Sequence, residues 1–417
     1  MEANAPTEKL WTRNFLLLWQ GQLVSILGDV VYAIALGFWI LAATGSTALM
    51  GGLLAASTLP RILVSPVAGV IVDRRDRRRL MIWMDVIRGA AVLAVAIGAL
   101  AGFLQVWIVF AAGIIIGICG AFFSPAVSSV IPDITGKTRV VQANSVFSMI
   151  GTGGNIIGNS VGGVLFQVLG APLLFLFNGI SYLFSAGSLL FARFPRVEHA
   201  HAQTHFLTDL KSGFSFVWKI RGLRFLVLSA AVLNFFANMA IVLLLPFYQR
   251  NPALGPVKYG IAMALFTGGA FLGMALTATV KIPAARRFFW FIWSGLGSTV
   301  FLIMFPFVGS FPFAIALLAF SGFANAVLNV LFMAVMQLAV PQNMRGKAFS
   351  LLGMITQGLT PIAFALAGVL AEFLPLAPLM SACFAVTLLV GVPMGFAASL
   401  RRFINFDPEK DTIESVS

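Results

Sequence analysis

Gly69-Val-Ile-Val-Asp73-Arg74-Arg75-Asp76-Arg77-Arg78-Arg79 ends in seven consecutive charged residues. On its N-terminal side, residues 49–72 carry a single charge, Arg61. On its C-terminal side, residues 80–104 carry only Asp85 and Arg88. At 1.5 Å per helical residue, either run crosses a hydrocarbon core about 30 Å thick. A charge knot this dense cannot enter hydrocarbon, so it marks a short loop in water between two membrane helices. Its arginines place that loop on the cytoplasmic side.

The rest of the chain agrees. Of its 417 residues 59% are hydrophobic and only 10% charged, where soluble domains average about 25% charged. This is the composition of a polytopic membrane protein. The formal charge of +13 sits in membrane-adjacent loops and is not read as a nucleic-acid surface. Cys119 and Cys383 both lie in apolar runs, as packing residues do. No cleavable signal is evident: residues 1–13 are polar and the first apolar run is too long.

Twelve spans are expected, at 15–42, 49–72, 80–104, 106–130, 143–168, 172–192, 225–248, 259–280, 288–308, 311–338, 348–372 and 376–400. With the amino end inside, the inner segments hold 23 of the 27 lysines and arginines, and the outer loops hold only Arg250 and Lys258. Both termini are therefore expected in the cytoplasm. The fold class is all-α, with twelve transmembrane helices in two pseudo-symmetric six-helix bundles. The expected domains are 1–192, a cytoplasmic linker 193–224, and 225–417. Phe147-Ser-Met-Ile-Gly151 echoes Phe349-Ser-Leu-Leu-Gly353, and Gly163-Val-Leu165 echoes Gly368-Val-Leu370. Such repeats characterise transporters whose site lies at the repeat interface. In the linker, apolar residues at 207, 210, 214 and 217 recur at helical spacing, as in a helix lying on the inner surface. His199, His201 and His205 read either as a metal tract or as a solvated linker. No cysteine or carboxylate cluster completes a site, so no metal or cofactor is expected.

Three acids lie in or at the edge of a span. Glu372 is at an outer end, and Asp85 stands one turn from Arg88 as an ion-pair partner. Asp29 lies near mid-depth in span one, and Arg61 is at matching depth in span two. Two readings stay open for this pair: a permanent buried ion pair, or an Asp29 that takes and releases a proton while Arg61 or a substrate cation modulates the exchange. Gln22, Ser25 and Asp29 form one helical stripe. Asn155 and Asn159, Asn234 and Asn238, and Asn325 and Asn329 are i, i+4 pairs, each facing one way. They read as interhelical hydrogen-bond glue or as the lining of a cavity for a partly polar solute. Four stripes together favour the cavity.

These residues resemble a known family. Gly69-x-x-x-Asp73-Arg74-x-x-Arg77-Arg78 resembles the loop 2–3 signature of the major facilitator superfamily, with Asp76 replacing the usual second glycine. That variant is similar to the subgroup holding macrolide efflux transporters and the enterobactin exporter. Gly154-x-x-x-Gly158-Asn159-x-x-Gly162-Gly163 is similar to the antiporter signature of span five, with Asn159 where proline is usual. Ala121-Phe-Phe-Ser-Pro-Ala126, Gln142-Ala-Asn144 and Arg345-Gly-Lys-Ala-Phe-Ser350 also resemble macrolide efflux segments. The resemblance implies proton-coupled export of a hydrophobic or amphipathic small molecule. It also implies an inner-gate role for Gly69, Asp73, Arg74, Arg77 and Arg78. One departure is that residues 109–123 lack the arginine that drug–proton antiporters often carry in span four.

The expected protein is a monomeric secondary transporter of the cell membrane, working by alternating access. Its partners are a small-molecule substrate, protons and membrane lipids. A lipid or lysolipid flippase of the same fold is the alternative within transport, and a non-alternating channel or receptor the alternative outside it. No Ser/His/Asp, Cys/His or metal-ligand constellation and no phosphate-binding loop is found, so an enzyme is not expected.

Overall fold

The computed structural model describes residues 10–135, 139–194, 206–408 and 411, and every regular element among them is helical. The histidine tract at 199, 201 and 205 lies outside the described residues. The chain divides into two compact units, residues 1–202 and 203–417.

The first unit contains α1 (Arg13–Thr44), α2 (Thr47–Arg74), α3 (Arg77–Leu100), α4 (Val106–Thr135) and α5 (Val140–Phe191). Local chemistry sets their starts. Thr12, Ser46 and Asp76 are N-caps, their side-chain oxygens accepting from the amides of Phe15, Leu49 and Arg79. Asp76, the departure from the loop signature, is thus the residue that starts α3. Helix α5 has 52 residues; straight, it would run about 78 Å, more than twice the hydrocarbon thickness. It turns instead at Gly170, where φ is 74° and ψ 168°, a conformation that strains any residue with a Cβ. Pro172 follows. Before the turn, Gly154, Gly158 and Gly162 meet Ile26, Val30 and Ile34 of α1 in parallel order. After it, Ser181 and Ser185 meet Gly28 and Gly21 in antiparallel order. One α-helical assignment therefore contains spans five and six. Among the described residues eleven helices are long and apolar enough to cross a membrane, and the turn at Gly170 divides one of them into two crossings.

The second unit contains α6 (Phe206–Lys219), α7 (Arg221–Arg250), α8 (Gly255–Thr279), α9 (Ala284–Met304) with a 3-10 turn (Phe305–Phe307), α10 (Phe311–Ala339), α11 (Gln342–Gly358), α12 (Thr360–Phe373), α13 (Leu376–Met394) and α14 (Ala398–Ile404). Two expected spans differ. Span eleven is broken at Leu359 into α11 and α12, with Pro361 in the first turn of α12, where its missing N–H is harmless. The last span stops at Met394, just after Pro393, and a turn leads into α14. In α6, Gly213 and Val217 are buried, Gly213 against the backbone of Lys347 in α11, while Phe214 and Trp218 stack on the outside. Helices α8 and α10 touch backbone to backbone: a Cβ on Gly269 would strike the Ala319 carbonyl, and one on Gly322 the Phe266 carbonyl.

The repeat extends to a detail absent from the residue echoes. Arg78, at the start of α3, donates to the carbonyls of Leu189 and Leu190 at the end of α5. Arg287, near the start of α9, donates to the carbonyl of Phe406 beyond α14. In each unit an arginine opening the third span neutralises carbonyls at the end of the sixth.

Candidate functional site

The core of the first unit has three levels. Phe15, Leu18, Met81, Phe123, Ala126 and Leu189 form one apolar cluster. Val31, Ala35, Val92, Val109 and Phe175 form another. On α1, α3 and the second limb of α5, the residues between these clusters are polar: Asp29, then Asp85 and Arg88, then Asn178, Ser181, Tyr182 and Ser185.

Asp29 sits midway along α1 and is only partly buried. Its Oδ1 accepts from the Tyr182 hydroxyl and, at 3.5 Å, from Nδ2 of Asn178. Asp85 is fully buried, and its Oδ1 accepts from Nη2 of Arg88, which is 6% exposed. The Arg88 guanidinium lies between two aromatic rings, 4.2 Å from the Phe123 centroid and 4.5 Å from that of Tyr182. Tyr182 thus touches both charges: its ring faces the arginine and its hydroxyl holds the carboxylate. Hydrogen bonds to a charged group are worth about 1.5–3 kcal/mol, and an arginine on an aromatic face about 2 kcal/mol when desolvated.

Arg61, expected beside Asp29, is exposed and forms no ion pair among the described residues; its side chain runs along Gly120 of α4. Its charge reaches Asp29 through space more weakly than that of Arg88. Arg88 rather than Arg61 is the deeply buried cation. Asn178, Tyr182 and Arg88 were not among the expected site residues. The signal for the first two was present, since Asn178, Ser181, Tyr182, Ser185 and Ser188 share one helical face.

Gln22 and Ser25 lie on the same helix, Ser25 buried and Gln22 partly so, with the Gln22 Nε2 lacking a hydrogen-bond partner. The asparagine pairs bond backward. Asn155 donates to Gly151 O, Asn159 to Asn155 O, Asn234 to Ala230 O, Asn238 to Asn234 O and Asn329 to Asn325 O, at 2.7–2.9 Å. These amides are satisfied within their own helices, which argues against their serving as glue between helices. Asn155, Asn234, Asn325 and Asn329 are exposed. On α5 the stripe continues through Asn144, Ser148 and Thr152, beside an open groove of about 580 Å³. Among the described residues of the second unit no charged side chain is buried. The buried charges of the described residues therefore all belong to the first unit.

The glycines at 154, 158 and 162 receive α1, while Gly163 is buried beside them. In the charged loop, Arg74 and Asp73 are exposed, and Gly69 has open space where a Cβ would stand. Arg77 is 3.9 Å from Asp73 but 2.7 Å from Asp133 at the end of α4, a residue outside the loop signature. Asp133 and Arg77 are 11% and 13% exposed at their side chains, against 70% for Asp73. Charge pairs shielded from water hold more tightly than exposed ones. Asp133→Asn is therefore expected to lower the transport rate more than Asp73→Asn, read as initial rates in vesicles at matched expression. Equal effects would show that the Arg77–Asp133 contact is not the stronger inner tie.

The family profile described as transmembrane secretion effector matches residues 4–413. Macrolide efflux protein A of Streptococcus pyogenes is 24% identical over 370 residues, covering 87% of this chain and 90% of that protein. The multidrug efflux pump Tap of Mycolicibacterium fortuitum is 28% identical over 386 residues, with the same coverage. Among solved structures, a bacterial homologue of the human lysosomal transporter Spinster, in an inward-facing and unoccupied conformation, matches with a TM-score of 0.63 at 18% identity. That match covers 95% of this chain and 97% of that one, and it speaks for the fold.

Proposed function

Because the chain belongs to the transmembrane secretion effector family of the major facilitator superfamily, a family of membrane transporters and not of enzymes, we propose that it exports a hydrophobic or amphipathic small molecule, of the drug or siderophore-like kind, by proton antiport with alternating access. The observation that carries this reading is Asp29: a carboxylate at mid-span, on a partly buried residue, held by hydroxyl and amide donors instead of by a direct ion pair. A carboxyl so placed can bind a proton without breaking a salt bridge, and a titratable acid within a membrane span is a functional site by default. Arg61 contributes at longer range. The relatives' activities, macrolide and multidrug efflux, support outward movement of such compounds.

The exposed or half-buried stripes of Asn155, Asn159, Asn234, Asn238, Asn325 and Asn329, with Gln22 and Ser25, would contact the polar parts of the substrate. Left facing hydrocarbon, they would be poorly solvated. Forty phenylalanines and fifteen methionines suit an adaptable apolar surface for the remainder. Gly69, Asp73, Arg74, Arg77 and Arg78 act at the inner gate, now with Asp133. The protein acts as a monomer in the cell membrane with both termini cytoplasmic.

Inverted vesicles carrying the protein, given an acidic lumen, test this with erythromycin and ethidium as probes. Probe accumulation that collapses with the gradient is expected. Gradient-independent movement of a fluorescent lysophospholipid, with neither probe transported, would favour a flippase and contradict the proposal.

A further inference from the structure

Asp85 and Arg88 form a fully buried ion pair that the export reading does not use. Their placement gives them a part in it. Arg88 is held by one carboxylate oxygen, and its Nε is buried without a hydrogen-bond partner. An arginine has five donors in a fixed fork, so this one is under-bonded at Nε. The Phe123 and Tyr182 rings both lie against its guanidinium. The Tyr182 hydroxyl, at the far edge of that ring, donates to Asp29. A cation over the face of a phenol draws electron density from it and makes its O–H a stronger donor.

We propose that Arg88, moderated by Asp85, is the counter-charge of Asp29, and that Tyr182 is the positioning residue through which the two communicate. The inference rests on the reading of Asp29 as the proton carrier. Asp85 keeps the arginine from closing directly on Asp29, which would leave that carboxylate permanently paired. Tyr182 holds the carboxylate within the arginine's reach without contact between the two charges. The arrangement supplies a buried cation from α3 in a chain that lacks one in residues 109–123 of α4.

The charged and titratable groups around Asp29 are few. Tyr182 faces it from α5, Arg88 from α3 with Asp85 behind, Arg61 from α2, and Tyr32 from its own helix. Cys119 of α4 lies beyond, near Arg88 and Asp85. Arg88 and Arg61 are the two cations to be told apart.

Infrared pH-difference spectra of the full-length protein in lipid nanodiscs make that distinction. A protonated Asp29 gives a carboxylic C=O band, identified by its loss in Asp29→Asn. In Tyr182→Phe the ring stays and the hydroxyl goes; the band is expected to change frequency, and its pH midpoint to move by about one unit or more. The double variant Asp85→Asn with Arg88→Gln removes both charges together, so that neither is left buried alone, and its midpoint is expected to move as well. In Arg61→Gln a shift smaller than in either of these variants is expected. An unmoved midpoint in Tyr182→Phe or in the double variant would overturn the proposal, as would a shift confined to Arg61→Gln. The band reads Asp29 directly whether or not transport is gradient-driven, so these outcomes are separate from failure of the export reading. A spectrum with no Asp29-dependent band would overturn both.

Discussion

Asp29→Asn is expected to lower gradient-driven export about 100-fold or more, the scale on which loss of a proton-transferring group is felt, while probe binding stays near the wild-type value. The amide has the shape of the acid and keeps an oxygen to accept from Tyr182 and Asn178, so the polar level of the first unit remains bonded and the helices remain packed. What is lost is the ability to take up and give off a proton. Initial uptake into inverted vesicles, set beside equilibrium binding to the purified variant, checks both halves of the expectation. Wild-type export by Asp29→Asn would remove this carboxylate from the mechanism. A large loss of binding would recast it as a substrate contact.

Gly158→Leu carries the largest expected effect on the fold. A Cβ at Gly158 would stand 2.6 Å from Cγ1 and 2.7 Å from Cβ of Val30. Val30 is β-branched and has little rotamer freedom in a helix. The neighbouring contacts, Gly154 with Ile26 and Gly162 with Ile34, leave α1 no room to slide. Overpacking of this kind costs about 1–3 kcal/mol, and here it would also push α1, and Asp29 with it, away from Tyr182. A lower thermal midpoint and loss of transport are expected together. Gly153→Leu is the control for stability, since nothing lies within 4 Å of the Cβ it would add; its thermal midpoint should stay near wild type. Equal destabilisation by the two would mean that the glycine ridge does not seat α1.

The sequence states the architecture plainly because membrane helices announce themselves by length and by the exclusion of charge. The charge knot at 73–79 and the turn before Pro172 are local features, and local features are readable. The site was readable in part. Asp29 stood out because a lone acid among apolar residues is conspicuous. Its partners did not, because they come from two other helices and their meeting depends on packing. Arg61 matched Asp29 in depth, yet depth says nothing about which way a helix faces; Arg88, set nearer the loop by residue count, is the cation that turns inward. Asp133 escaped for the same reason: its partner Arg77 lies fifty-six residues away in the chain. The asparagine pairs were visible as stripes, but only coordinates reveal that five of the six amides bond back to their own helix.

The central claim is that a proton on Asp29 and a substrate molecule exchange for one another, and proton release on ligand addition tests it most directly. In weakly buffered detergent solution with a pH-indicator dye, saturating probe added to purified wild-type protein should release protons, and Asp29→Asn, binding the same probe, should release none. Undiminished proton release from Asp29→Asn, or none from a wild type that binds the probe and transports it down a pH gradient, would contradict the account.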